Sequence, residues 1–235
     1  MSETKITLKN KEERVIELTD FSDVNLCLES NSKLILKLAN FRDNSDIKIS
    51  GKIKKDAYLS VIFADFSEGT SKVLSKINLT EEGATADWTL ATLANKKDNK
   101  VFDCSFIHEV GKTTSNMSNY GVARDESKIV FSGVSHITNG AKASNAKQNA
   151  KIIVFDKDAQ GVASPILKID ENDVQASHGA IVGQLNSDHM FYLMSRGLSH
   201  DEARMIITYG YLKPVSKEFS KETQSLIEKV LEEAM

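Results

Sequence analysis

Five histidines, His108, His136, His178, His189 and His200, are the residues of this chain best suited to proton transfer or metal ligation near neutral pH. None stands at an HxxxH or HExxH spacing, so no single helix can present a zinc site. His108 and His136 are 28 residues apart, which would bring them onto adjacent coils if the chain repeats at that period and otherwise leaves two polar groups on an outer face. His189 and His200 precede helical patterns and read as surface groups. Cys27 and Cys104 are the only cysteines, too few for a disulfide framework or a four-cysteine metal site. They read as small buried hydrophobes of a reducing compartment. Carboxylates are plentiful, but no spacing singles out a pair for general acid/base work.

Two segments imitate catalytic motifs. Gly111-Lys112-Thr113 resembles the end of a phosphate-binding loop, yet the glycine required five residues earlier is Phe106. Gly133-Val134-Ser135-His136 suggests a nucleophile elbow, yet Ile137 stands where glycine is needed. Neither chemistry is expected.

The elements that must position these residues fall into two territories. From Ile6 to about Ile169 apolar and polar residues alternate in short runs, such as Leu34, Leu36 and Leu38 or Leu59, Val61 and Phe63, and period two means strands with one buried face. Asn40 to Ser45 and Ser67 to Ser71 between them have turn chemistry. Runs starting at Val73, Val101 and Ile129 recur every 28 residues, and a second series at Ala57, Ala84, Thr113 and Ala141 recurs every 27 to 29. Two interleaved series predict the coils of a β-solenoid. A β-sandwich with regular hairpins is the alternative, disfavoured because Asn139-Gly140 is the only hairpin-type dipeptide of its kind.

After Gly179 the period changes to about 3.6 residues. Asn186 or Ser187 caps a first predicted helix, whose apolar face is Met190, Phe191, Leu193 and Met194 and which Gly197 ends. Ser199 to Glu202 forms a capping box for a second helix, closed by Pro214. Ser216 to Met235 predicts a third. The expected division is a β-helix over 1–178 and a small helical domain over 179–235. Between them Gln175 to Leu185 is rich in small residues and holds one imidazole, His178, which suits a close subunit contact.

With 30 basic and 33 acidic residues the net charge is −3, which offers no footprint for nucleic acid or an anionic membrane. The charged start lacks an apolar leader and no apolar run reaches eighteen residues, so a cytoplasmic protein is expected.

SHGAIVGQL, FYLMSRGLSHDEAR and YGYL, in that order, resemble the end of the SufB/SufD family of iron–sulfur cluster assembly subunits, and S-H-G-A-x-V-G favours its SufD branch. His108, Thr113, Ser115, Asn116, Tyr120 to Val122, Phe131, Gly133, Gly140, Ala141, Gln148, Pro165, Leu167 and Ile169 also fall where that family's pattern places them, so the likeness covers roughly Val101 to Pro214. The resemblance implies a right-handed parallel β-helix followed by helices that dock the SufC ATPase. It also implies a non-catalytic scaffold that pairs through its β-helix with SufB or with a second copy. On it, His178 is the interface residue and a candidate ligand for iron or for a transient cluster shared with a partner, with no firmly bound cofactor. Phe191, Arg196, Gly197, Glu202 and Arg204 are the candidates for ATPase docking. The chain departs from the pattern in carrying Ala176 where the family commonly has cysteine, Ala150 where it often has asparagine, and in lacking the family's additional helical region ahead of the strands. Competing expectations are a degenerate paralogue that only stabilises a complex, and a β-helical carbohydrate-active protein; the latter calls for exposed aromatics, which total only 7% with Trp88 the sole tryptophan.

Overall fold

The computed structural model describes residues 3–234. Odd and even strands alternate between two seven-stranded parallel sheets. The first sheet is β1 (Glu3–Leu8), β3 (Asp23–Leu28), β5 (Ser45–Ile53), β7 (Thr70–Leu79), β9 (Asn99–His108), β11 (Lys128–Ile137) and β13 (Gln160–Ile169). The second is β2 (Glu13–Leu18), β4 (Lys33–Asn40), β6 (Tyr58–Asp65), β8 (Thr85–Ala94), β10 (Thr114–Ala123), β12 (Ser144–Val154) and β14 (Val174–Gln184). Each coil contributes one strand to each sheet, which makes a parallel β-helix of the kind the repeat predicts.

The coils lengthen along the axis. Ile6 pairs with Leu26, Val24 with Ile49, Val73 with Phe102 and Phe131 with Ala163. In the middle coils the step is therefore 29 residues, one more than the 28 read from the sequence. Because side chains alternate faces, that single residue matters. His108 pairs with Ile137, and His136 pairs with Ile107. His108 is wholly buried inside the solenoid while His136 is only partly buried and reaches Asp170 at 2.7 Å. The two histidines lie on adjacent coils, as the repeat implied, but on opposite faces of their sheet.

The corners explain how so few glycines suffice. Lys11, Asn31, Asp56, Gly83 and Lys112 all have positive φ where an odd strand turns into an even one. The Asn31 amide donates to the Lys55 carbonyl and that of Asp56 to Glu82, so each corner is tied to the next coil. Asn and Asp tolerate this left-handed conformation, while the lysines are held there against their preference by the stacked coils.

Inside, Phe63 stacks on Trp88 at 5.8 Å, and Phe102 lies 5.7 Å from Phe131. The interior also holds charge. Lys100 and Asp65 are fully buried and 2.6 Å apart. Asn40, Ser67 and Ser71 also donate to the carboxylate, and Lys100 donates to the Ser67 carbonyl. Burial alone would raise the Asp65 pKa, but the Lys100 charge and these donors outweigh it and hold the carboxyl below its ordinary value. His108 bonds Thr113 and Ser115 at 2.7 and 2.8 Å. Burial, with His136 adding to it, pushes its pKa down to about 4.

Three helices follow: α1 (Ser187–Ser195), α2 (His200–Ser216) and α3 (Lys221–Glu233). Asn186 caps α1, the Ser199–Glu202 box caps α2 and Ser220 caps α3. Three expectations need correction. β14 runs on to Gln184, so strand continues through Gly179, past the point where the period of two was expected to end, although helix begins at Ser187 behind the expected Asn186 cap. Pro214 lies within α2, which continues to Ser216. The apolar face expected of α1 is largely open, since Phe191 is 75% exposed and only Met190 is buried.

The helices also share a core with the solenoid. Leu212, Val215, Phe219, Ile227 and Leu231 cover Ala39, Ala64, Ala91, Leu93 and Val122 on the outer face of the second sheet. Ala39 pairs with Ala64, and Ala64 with Ala91, forming a row of small side chains over which helices approach closely. The ends of β4, β6 and β8 are consequently buried on both faces.

Two expected outcomes follow from the interior. Lys100→Ala leaves Asp65 buried without its counter-charge and should cost about 3–5 kcal/mol in urea unfolding, with Asp65→Asn in the same chain recovering much of the loss. His108 is the opposite case from a raised histidine: its folded pKa of about 4 lies below its unfolded value. Its contribution, roughly 3 kcal/mol for a shift of this size, is present in full above about pH 6.5 and is lost as the pH falls towards the folded value. His108→Gln should flatten that part of the stability–pH curve.

Candidate functional site

The last coil, β13 and β14, has no coil beyond it. Among the described residues its backbone is an unpaired edge in both sheets, and every residue of β14 from Gln175 to Gln184 is solvent-exposed.

 Val174, at the junction with the preceding turn, is the one half-buried side chain of that strand, and the ten residues after it are open to solvent. The register gives the direction of each. Gln148 and Ala150 of β12 face the interior, and they pair with His178 and Ala180, so Ala176, His178, Ala180 and Val182 lie on the inner face of the last coil. His178 is thus an inward position that is exposed only because the solenoid ends there.

The two ends of the solenoid differ in chemistry. β14 carries no charged residue and β13 only Lys168, whereas β1 and β2 carry Glu3, Lys5, Glu13, Arg14 and Glu17. Charges on a strand edge discourage pairing with another chain, and an uncharged edge invites it. Ile181 is 60% exposed, and Val162, Ile166, Ile169 and Val182 are also open. This end is an open, largely apolar surface with one imidazole in its mouth.

The other expected site residues have separate fates. Phe191, Tyr192 and Met194 are exposed on α1, and the Arg196 guanidinium lies 5.3 Å from the Tyr192 ring. Gly197, with φ of 96°, follows that helix in the left-handed region that glycine favours. Glu202 is engaged in the α2 capping box. Arg204 makes a two-pronged contact with Asp156 at 2.8 and 2.7 Å and stacks 4.9 Å from Phe155. It ties α2 to the solenoid. The Arg124 guanidinium lies 6.0 Å from the same Phe155 ring and donates to the Ala234 carbonyl, while Glu17 accepts from Ser220 and Thr223 at the start of α3. Sequence reading missed Asp156 because nothing local marks it; its partner is 48 residues away.

Cys104 is buried, and burial pushes its thiol pKa well up, which suits packing and not ligation. Cys27 is half-buried on the outer face of the first sheet. Among the described residues no group of three His, Cys, Asp or Glu could hold a metal ion. The phosphate-loop look-alike is a corner: a Cβ on Gly111 would meet the Lys142 carbonyl oxygen at 2.6 Å, and Thr113 is spent on His108 and Ser144. Trp88, the sole tryptophan, is core. No described helix is long and apolar enough to cross a membrane.

Fold and site together define a parallel β-helix protein, one that covers a sheet face with its own helices and leaves one end open. The chain belongs to the SufB/SufD family: the model for "SUF system FeS cluster assembly, SufBD core domain" matches residues 24–211. It is similar to the iron–sulfur cluster assembly protein SufD of Bacillus subtilis, 30% identical over 180 residues that cover 74% of this chain and 41% of that protein. A SufBD family protein of Mycobacterium bovis is 26% identical over 205 residues, 84% of this chain and 24% of its own length. The chain therefore spans less than half the length of these relatives.

Arg204→Ala should loosen α2 from the solenoid, losing about 1–3 kcal/mol as a charge-assisted pair is broken, read as faster amide exchange in α2 with the β-helix strands unchanged. Hydrogen bonding from Arg204 holds the Asp156 pKa down to about 2. The pair's contribution is accordingly present above the ordinary carboxylate range and is lost as the pH falls towards that value.

Proposed function

We propose that this chain is a scaffold subunit in iron–sulfur cluster assembly, which joins a SufB-like subunit, or a second copy of itself, through its last coil. The observation that carries this reading is the uncharged, apolar edge of β13 and β14 set against the charged edge at the other end. An added strand would satisfy the unpaired backbone groups and cover Ile181 and Val182. The exposed Phe191, Tyr192 and Met194, with Arg196 and Gly197 beside them, offer a separate surface for a SufC-like ATPase. ATP hydrolysis would belong to that partner, and the chain itself would work without catalysis in the cytoplasm.

In such a pair His178 faces the contact. A neutral imidazole can supply one ligand to iron passing through the interface, while Ala176 supplies none, so thiolates would have to come from the partner. Cluster here is cargo and not a resident cofactor. The same alanine favours a second reading, a paralogue that stabilises the complex without touching the cluster.

Co-purification of the tagged chain with SufB-like and SufC-like proteins tests the scaffold. Ile181→Lys should abolish the SufB-like or self contact and leave the monomer folded, since the side chain is exposed. Phe191→Ala should weaken only the ATPase contact. Failure to associate with either partner, or pairing that survives Ile181→Lys, overturns the proposal. Complementation of a SufD deletion by the native chain, compared with Ala176→Cys, separates the two readings: activity only with the restored thiol favours the structural paralogue.

A further inference from the structure

The helices leave part of the outer face of the second sheet uncovered. Between that face and the last turns of α2 lies a cleft of about 590 Å³, lined by Ile62, Thr89, Ser118 and Tyr120 of the strands and by Tyr211 and Val215 of the helix. Clefts of this size take small organic molecules. A second hollow, which shares Ser60, Ile62 and Glu218 with the first, continues it towards Lys33 and Ile35.

The fixed charge in this cleft is negative. Asp87 lines it and is half-buried; its Oδ2 accepts from the Tyr58 hydroxyl and its Oδ1 from the Asn116 amide, each at 2.7 Å. Burial, and then the bond to Asp87, push the Tyr58 pKa up to about 12, so the hydroxyl remains a donor at neutral pH. Both donors are neutral, so they orient the carboxylate without cancelling its charge, and each oxygen keeps a free lone pair. Glu218 lines both hollows. Neither carboxylate makes an ion pair among the described residues. The wall beside Glu218 is the last turn of α2, the negative end of the helix dipole. The cations nearby are engaged or distant. Lys37 donates to the Glu218 carbonyl, Lys213 pairs with Glu228, and Lys33 stands 5.8 Å from the Tyr58 ring centre. Lys151 lines the far end: Asp87 pairs with Asn116 and Asn116 with Lys147, so Lys151 lies two strands across and four residues on. Ordinary strand spacings put that at about 16 Å between Cα atoms.

We propose that this cleft binds a linear aliphatic diamine or longer polyamine: one ammonium group donates to the free lone pairs of Asp87, the methylene chain lies against Ile62 and Val215, and a second ammonium group meets Glu218. An ammonium group has three donors and no acceptor, which suits a carboxylate already oriented by neutral donors. An anionic ligand would meet two carboxylates and the negative end of a helix, and a neutral one would leave the Asp87 charge uncompensated. The cleft lies on the face of the sheet and not at the last coil, so the inference is independent of the pairing proposed for that edge.

The test is isothermal titration calorimetry of the full chain at physiological salt with putrescine, butylamine and butanediol. Putrescine is expected to bind, butylamine to bind about tenfold more weakly for want of one charged contact, and butanediol not to bind. Asp87→Asn keeps the side-chain shape and an acceptor for Tyr58, and should weaken both amines by about tenfold. Glu218→Gln should bring putrescine down to the level of butylamine and leave butylamine unchanged. Should Asp87→Asn fail to fold, amide shifts of the ¹⁵N-labelled native chain on adding putrescine decide the matter, with changes expected at Asp87, Asn116 and Tyr211. Changes confined to other residues, putrescine binding that survives Asp87→Asn, butanediol binding as well as putrescine, or no binding at physiological salt overturns the proposal and leaves the cleft to solvent. Ile181→Lys should bind putrescine as the native chain does, so that failure of the coil pairing and failure of this site are read separately.

Discussion

A parallel strand satisfies half of its backbone hydrogen-bonding groups on each neighbour, and in this molecule each neighbour is the next coil of the same chain. The rest of the structure depends on that constraint. It fixes the register, because a slip by one residue would exchange the core for the surface. It holds lysines in left-handed corners, because the corner amides are tied to the following coil. It also leaves an open edge, since a stack of coils must end somewhere, and among the described residues no strand pairs with the outer side of the last coil.

The two ends resolve this differently. Charged side chains on β1 and β2 discourage pairing, while β13 and β14 present an almost uncharged edge with exposed isoleucine and valine. An inward position at that edge is open to solvent, so a residue placed there has the neighbours of a core on one side and a partner or water on the other. His178 occupies such a position, backed by Gln148. The interior behind it tolerates polar groups only where they are fully engaged, as with Lys100 and Asp65 or with His108 between Thr113 and Ser115.

The helices add a second layer of organisation. They lie on the outer face of one sheet, where the alanines of β4, β6 and β8 form a shallow bed, and are tied down by Arg204 at Asp156 and by Glu17 at Ser220 and Thr223. Fixing α2 and α3 in this way leaves α1 with its aromatic side chains exposed next to the open end of the solenoid. Any partner that binds α1 therefore acts close in sequence to the strand that carries His178.

Local sequence determined the element types. Alternation marked the strands, small caps such as Ser199 with Glu202 marked helix starts, and the recurrence near 28 residues marked a solenoid. The motifs around His178 were legible for the same reason: they are contiguous, and contiguous patterns need no knowledge of what lies across the molecule. Register was not, because one residue in a coil of variable length is below the resolution of a repeat search and yet decides which face His108 and His136 occupy. Nor were Asp156 and Gln148, whose roles come from Arg204 and from Ser135 and Ile166 far along the chain. The double burial of the β4, β6 and β8 ends was hidden as well, since alanine reads as indifferent until a helix is laid on it. Sequence by itself thus determined what each segment becomes, through backbone preference and hydrophobic period. Only the tertiary structure decided which side chains meet, because coil stacking brings together residues whose separation no local pattern encodes.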